Sequence, residues 1–431
     1  MKRIRAFIDQ MVYIYIFLNP QRGLFLLLSL LVLVSGFAAF FLDPNNLFPF
    51  LVLGGFGSLF GAWCFWSDFV RSPQLSWSKD VSFVRRLNEY RPSRMEEADG
   101  FLTVVDPDGP IVRSEAFDLN CMLNSGWDMK LVFSDAPRRN LRRTLRSHFE
   151  TLAVVLRSKA RSGAMFFNEQ KIGVASPIRR SIAELTLYRT DYYSSALTGD
   201  IAESIVEAEA GGHSRVVLQG KSSYPSVNDG EIKRFVEFDQ SGSSSLHLGV
   251  DVLAVTSDYY LQVWVQTKKN EHSPDMAAPT GSGSIDWADL KGVTTLKELI
   301  EAGGRRELFE ESAERRGNAT AWKVQGVRPI GYFRMPQRGG KPQFALLAKL
   351  GVLRAELVAN PDEVRNANLH FYVPNLPALR QAVDNLIAEP ERQLSRPLLG
   401  ALMALRTAMD KRPEVVEEVL GYDTTPAASV S

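Results

Sequence analysis

The segment GVTTLKELIEAGGRRELFEESAERRG, residues 292–317, makes two demands on one helix. Its pattern predicts an amphipathic helix, yet Gly303 and Gly304 interrupt it and Glu307, Glu310 and Glu311 follow at once. At about 100° per residue, the positions three and four after Glu307 bring all three carboxylates within about 50° of one line. Like charges so placed repel. Ala302, Phe309 and Ala313 lie on roughly the opposite side and are the expected buried stripe. A solvated acidic face, balanced by Arg305, Arg306, Arg315 and Arg316, would account for the charges. It leaves the glycines unexplained, because each costs a surface helix about 1 kcal/mol relative to alanine. Converging carboxylates are what an oxygen-rich Mg²⁺ or Mn²⁺ site needs, with substrate phosphates completing the shell. The glycines would let the helix approach the strand and GSG loop before it, where a side chain would intrude.

Gly292, Glu298 and the run Arg306-Glu307-Leu308-Phe309-Glu310-Glu311 resemble the Nudix box, G-x5-E-x7-R-E-U-x-E-E-x-G-U. Ala313 and Glu314 depart from its last two positions, which bears on helix packing rather than on the acids. The resemblance implies a Nudix α/β/α sandwich over residues 241–412. It implies that Glu307, Glu310 and Glu311 ligate Mg or Mn, and that Glu307, Arg306 and Glu310 form the catalytic set. Glu307 would orient or deprotonate a water, and Arg306, helped by Glu298, would aim Glu307. The family's glycine turn corresponds either to Gly292 or, ahead of an insertion, to Gly281 and Gly283, which are then the expected cofactor-binding residues. A further acid from a later loop would be Glu356 or Glu363. The implied reaction is attack of water on a diphosphate linked to another moiety, usually a nucleoside.

The N-terminus makes a separate demand. Residues 24–42 (LFLLLSLLVLVSGFAAFFL) and 47–66 (LFPFLVLGGFGSLFGAWCFW) are two uncharged runs joined by DPNN. Nineteen residues at about 1.5 Å each span about 28 Å, the thickness of a bilayer core. The expectation is a two-helix membrane hairpin. Lys2, Arg3, Arg5 and Arg22 precede it and Arg71 and Lys79 follow, which puts both termini in the cytoplasm. Gly54, Gly55, Gly57 and Gly61 permit close helix packing, compatible with a homo-oligomer. A Nudix box behind such a hairpin resembles the membrane-anchored Nudix effectors of bacterial cyclic-oligonucleotide (CBASS) anti-phage systems. That resemblance implies a cyclic nucleotide second messenger as ligand, oligomerisation, and disruption of the lipid bilayer that kills the infected cell. The alternative is a membrane-tethered Nudix hydrolase cleaving a nucleoside diphosphate derivative with Mg or Mn.

The expected fold class is therefore α/β: two transmembrane helices within residues 1–71, an α+β region of unknown role at 72–240, the Nudix sandwich at 241–412, and a flexible tail at 413–431. Residues 99–134 read as strands around the turn DPDG, and Arg138–Arg161 as a basic helix. MFFNEQKIGVAS, residues 165–176, reads as a further hairpin. HLGVDVLAVTSDYYLQVWVQTK reads as a hairpin with one buried face, followed after the box by two long strands and by helices at about 375–390 and 394–410. The net charge of +1 gives no footprint for duplex nucleic acid. Two cysteines, Cys64 and Cys121, cannot build a disulfide framework, and five scattered histidines suggest no zinc site.

Overall fold

The computed structural model describes residues 74–106, 109–137, 154, 169–210, 213–238, 244–268, 273–312, 324–361, 363–367, 369–389 and 393–422. Strands Gln74–Lys79, Ser204–Ala210 and His213–Gln219 form a three-stranded sheet whose residues fall almost wholly in one compact unit. The larger unit runs from Lys79 to the C-terminus, apart from 146–158 and 205–219, and carries everything described below.

Its centre is a mixed sheet of eight described strands. In chain order these are β1 (Leu102–Val104), β2 (Ile111–Arg113), β4 (Gly249–Val255), β5 (Tyr260–Gln262), β6 (Gly281–Ser284), β7 (Val324–Met335), β8 (Lys341–Leu350) and β9 (His370–Tyr372); β3 (Gln170–Val174) lies outside that sheet. The spatial order is β9-β5-β4-β8-β7-β2-β1, with β6 added along β4. β4 and β8 pair in parallel, from Gly249 opposite Gln343 to Val255 opposite Lys349, and the other pairs are antiparallel. Every residue of β4 and β8 is buried, because helices cover both faces.

Helix α1 (Leu296–Ser312) packs Leu296, Leu299, Ile300 and Leu308 against Val250, Val252 and Leu346 on one face. On the other, α3 (Arg396–Lys411) sets Leu398, Leu402 and Leu405 with Leu253, Val255 and Leu347, joined by α2 (Leu376–Ala388) and α4 (Pro413–Leu420). Ser395 and Asn375 accept helix-capping bonds from the Leu398 and Ala378 amides, which fixes where α3 and α2 begin. The helices expected at 375–390 and 394–410 thus form, and the SD turn joins β4 to β5 as expected.

The expected fold class is corrected. The structure is a mixed α/β architecture in which the middle of the chain does not stand apart from the C-terminal part. β1 and β2 extend the sheet of the box-bearing strands. Residues 165–168 of the hairpin expected at 165–176 lie outside the described residues, and β3 pairs antiparallel with Glu184–Asp191. It also bonds to the strands around the box: the Leu248 amide donates to the Ile172 carbonyl at 3.0 Å, and the Ile172 amide donates to the Ile285 carbonyl at 3.3 Å. The physical reason is backbone satisfaction, since exposed strand edges leave unpaired donors and acceptors that these segments fill. The two transmembrane helices expected at 24–42 and 47–66 and the basic helix beginning at Arg138 lie outside the described residues, save Val154 in that helix. Of the flexible tail expected at 413–431, residues 413–420 instead form α4, which buries Val415, Val416 and Leu420 against the core, and 423–431 lie outside the described residues. Among the described residues no helix is long and apolar enough to cross a membrane.

Candidate functional site

The acid-bearing helix sits differently from its sequence pattern. Its buried side carries Gly303, Gly304, Glu307, Leu308, Glu311 and Ser312, while Ala302 and Phe309 are only partly covered and Ala313 lies outside the described residues. Two of the three glutamates therefore face the domain. The cause lies in the strand beneath. A Cβ on Gly281 would stand 2.7 Å from the Leu308 amide nitrogen, and one on Gly283 would stand 2.1 Å from a Glu307 carboxylate oxygen. With no side chain at either place, the helix settles low enough to enclose its own acids. Gly303 and Gly304 allow the same approach from the helix side, against Ile285 at 3.0 Å and Leu346 at 2.8 Å for an added Cβ. Gly292 takes φ +79° with nothing within 4 Å, so it serves a turn. Gly281→Ala is expected to lower stability by about 1–3 kcal/mol through overpacking against backbone that cannot yield. In thermal melts Gly126→Ala, whose added carbon meets only the Asn124 side chain at 3.4 Å, is the near-neutral control.

Four acids gather at the C-terminal half of α1. Glu307 and Glu311 are 5% and 4% exposed. Burial pushes the Glu307 carboxyl up to about 7; Arg306 and Lys171 pull it down, and Glu310 and Glu363 push it further up. Burial, then Glu307 and Glu363, hold Glu311 well above the usual carboxylate range. The Ser282 amide bonds to the Glu311 carboxylate, yet its Oε2 has no partner among the described residues. Glu363 arrives from a loop docked on the helix end. The Val358 amide donates to the Ser312 carbonyl at 3.2 Å, the Asn360 amide donates to the Glu311 carbonyl at 2.9 Å, and the Asn360 side chain donates to both the Glu310 carbonyl and Glu363. The loop satisfies carbonyls that a helix end leaves open. Glu356 instead accepts from the Leu353 amide at 2.6 Å and closes its own turn.

Arg306 organises the acids. It pairs with Glu310 at 2.8 Å, Glu307 at 3.0 Å and Asp289 at 3.1 Å, and donates to the Ser284 carbonyl at 2.9 Å. Glu298, expected to help it, does something else: its carboxylate accepts from the Thr294 and Thr295 amides at the start of α1. The partners that hold Arg306 are Asp286 and Asp289 in the turn between β6 and α1, together with Glu307 and Glu310. Asp286 also pairs with Lys171 of β3. Burial alone would lower the Lys171 ammonium, but Asp286 and Glu307 outweigh it and hold it above its usual value. Sequence reasoning missed Lys171, Asp286 and Asp289. The two aspartates stood only 17–20 residues before Arg306 on an acidic turn, a readable signal; Lys171 gave none, since a different sheet delivers it.

Removing the buried Lys171 charge leaves Asp286 short of a partner. Lys171→Met is expected to cost about 3 kcal/mol near pH 8. The cost is smaller at pH 5 than at pH 8, because burial raises the Asp286 carboxyl and so favours its protonated form, which needs no cation. Denaturant unfolding at the two pH values checks this.

The donor set is all oxygen and anionic, which suits a hard divalent cation, and the unpartnered Glu311 oxygen leaves one ligand position open. Glu307 and Glu310 are tied to Arg306 and Glu363 accepts from Asn360, and among the described residues no group of three is already gathered as a metal site.

No protein-family model matches the chain, and no curated protein matches it. Among solved structures, it is similar to DR0079 from Deinococcus radiodurans, at 15% identity over 37% of this chain and 82% of that one, with a TM-score of 0.25. It is also similar to a MutT protein from Methanosarcina mazei, at 13% identity over 38% of this chain and 95% of that one, with a TM-score of 0.23. Likenesses this slight leave the chemistry of the site to its own residues.

Proposed function

We propose that the site on α1 is a Nudix-type centre that hydrolyses a nucleoside diphosphate derivative with a divalent cation. The observation that carries it is the enclosed acid cluster itself: Glu307, Glu311 and Glu363 near one another, with a buried carboxylate oxygen of Glu311 left unpartnered. Glu307, Glu310 and Glu311 would hold Mg²⁺ or Mn²⁺, which when bound neutralises phosphate charge and polarises phosphorus. Glu307, titrating near neutral pH, is suited to orient a water and accept its proton. Arg306 aims Glu307 and Glu310, and Asp286 and Asp289 fix Arg306 in turn. Lys171 places a positive charge beside Glu307. The test is to incubate the purified full chain with Mn²⁺ and a panel of nucleoside diphosphate derivatives and assay the products. Metal-dependent cleavage of at least one member is expected, and no cleavage across the panel overturns the reading.

The enclosure of the acids favours a second reading, recognition of a cyclic nucleotide without turnover. Glu307 and Glu310 are already engaged by Arg306, so a ligand could be held without a water being aimed at it. Saturable binding of a cyclic oligonucleotide with no product formed would select this reading. The membrane-disrupting part of the expected effector would rest on residues 24–66, which lie outside the described residues.

A further inference from the structure

The small sheet that brings Lys171 to the acids also brings an arginine that the acid site does not use. Its strand Glu184–Asp191 lies between Lys130–Phe133, with which it is parallel, and β3, with which it is antiparallel. Alternation along that strand buries Leu185 and Leu187 and puts Arg189 next on the same face, opposite Ile172. Phe133, opposite Leu187, stands on this face too. The buried row ends there: Phe133 is 56% exposed and Arg189 is partly exposed. The sheet is fastened at this end to the turn between β6 and α1, through the Ile172 amide to the Ile285 carbonyl and through the Lys171–Asp286 pair. Trp287 belongs to that turn and lies in sequence between the two aspartates that hold Arg306.

Arg189 is held in place without being neutralised. Its guanidinium carbon stands over the Trp287 ring, 5.5 Å from the centroid, and it donates to the side-chain oxygen of Gln170. Phe133 meets Trp287 edge to face, with ring centroids 5.7 Å apart, and braces the indole. Both partners of Arg189 are uncharged, and it has no carboxylate partner among the described residues. The cations beside it differ. Lys171 is closed by Glu169 and Asp286, and Arg306 by Asp286, Asp289, Glu307 and Glu310. A guanidinium carries five donors in one plane, so a ring contact and one amide oxygen leave most of its edge open.

The acids give such a charge its use. Glu307, Glu310, Glu311, Glu363, Asp286 and Asp289 outnumber Arg306 and Lys171, so a phosphate-bearing ligand at α1 meets an excess of negative charge. A divalent cation offsets part of it, and an arginine already set in position at the same turn offsets more. We infer that Arg189 binds a phosphate group of the ligand held at α1, with Trp287 and Gln170 fixing its guanidinium to meet two phosphate oxygens. This role rests on the reading of α1 as a diphosphate site and not on turnover there. It gives the middle region of the chain a part in recognition. Lysine is a poor substitute, because an ammonium group has neither the flat face nor the fork.

The test is calorimetric titration of the full chain in Mn²⁺ with methylenediphosphonate, a diphosphate mimic that carries no base and cannot be cleaved. The parent is expected to bind it. Arg189→Gln is expected to lose about tenfold or more in affinity for the mimic, while its affinity for Mn²⁺ alone stays that of the parent. Should Arg189→Gln fail to fold, Arg189→Lys is expected to lose at least about threefold. Trp287→Leu is expected to weaken the mimic by a similar factor, and Trp287→Phe, which keeps a ring beneath the guanidinium, to restore it. No binding by the parent, or an affinity unchanged within about twofold in the Arg189 variant, overturns the inference. Binding that depends on Arg189, with no cleavage across the nucleotide panel, sustains it while removing the proposed hydrolase. Cleavage with the same KM in the parent and in Arg189→Gln overturns it and leaves the hydrolase standing.

Discussion

Glu307→Gln is expected to lower the Mn²⁺-dependent cleavage rate by about 10²–10⁴-fold, the range that a positioned general base contributes. The amide keeps the volume of the side chain and can still meet Arg306 at 3.0 Å, so the fold should survive. What it loses is the ability to take a proton and the charge facing Lys171. Glu310→Gln, at a side chain that remains 45% exposed, is expected to act more on apparent metal affinity than on the rate at saturating Mn²⁺. Rate against Mn²⁺ concentration separates the two. Equal, full activity in both variants would remove α1 from the chemistry.

The second large effect concerns stability. Glu311 and Glu307 have folded-state values above the ordinary 4.5, the first well above and the second near 7. A carboxyl raised on folding contributes stability that is complete below its unfolded value and is lost as pH rises through its folded value. The metal-free protein should therefore lose thermal stability between about pH 5 and 8. Added Mn²⁺ should restore it, and more at pH 8 than at pH 5, because the cation binds ionised carboxylates and releases protons; at a hundredfold excess over Kd the gain is about 2.7 kcal/mol. Glu311→Gln should be more stable than the parent at pH 8 without metal, by about 1–3 kcal/mol, and should respond less to Mn²⁺. A parent that grows more stable with pH, or a variant with an unchanged Mn²⁺ shift, would contradict this account of Glu311.

The acids, glycines and arginine of α1 were all legible as a unit, because helical geometry fixes which residues three and four apart share a side. The side they share was not legible. Glu307 and Glu311 looked like an exposed row opposite Ala302, Phe309 and Ala313, and the structure turns both toward the strand. The deciding residues, Gly281 and Gly283, lie ahead of the helix in sequence, and their effect is visible only once strand and helix are stacked. Glu363 was one of two candidates the sequence could not separate. The loop from Val358 to Glu363 chose it by docking on the end of α1, a contact that no local pattern encodes.

The positions of the strands around the box, the two C-terminal helices and the identity of the clustered acids follow from the sequence by itself, since periodicity and capping are properties of neighbouring residues; the single buried face expected for β4 does not, because helices bury both of its faces. Tertiary structure alone joined β1 and β2 to the box-bearing sheet, brought Lys171 to Glu307, and gave Arg306 its hold on Asp286 and Asp289. The physical reason is range. Local preference decides what each segment becomes, whereas backbone pairing between distant strands and the enclosure of charge decide which segments meet.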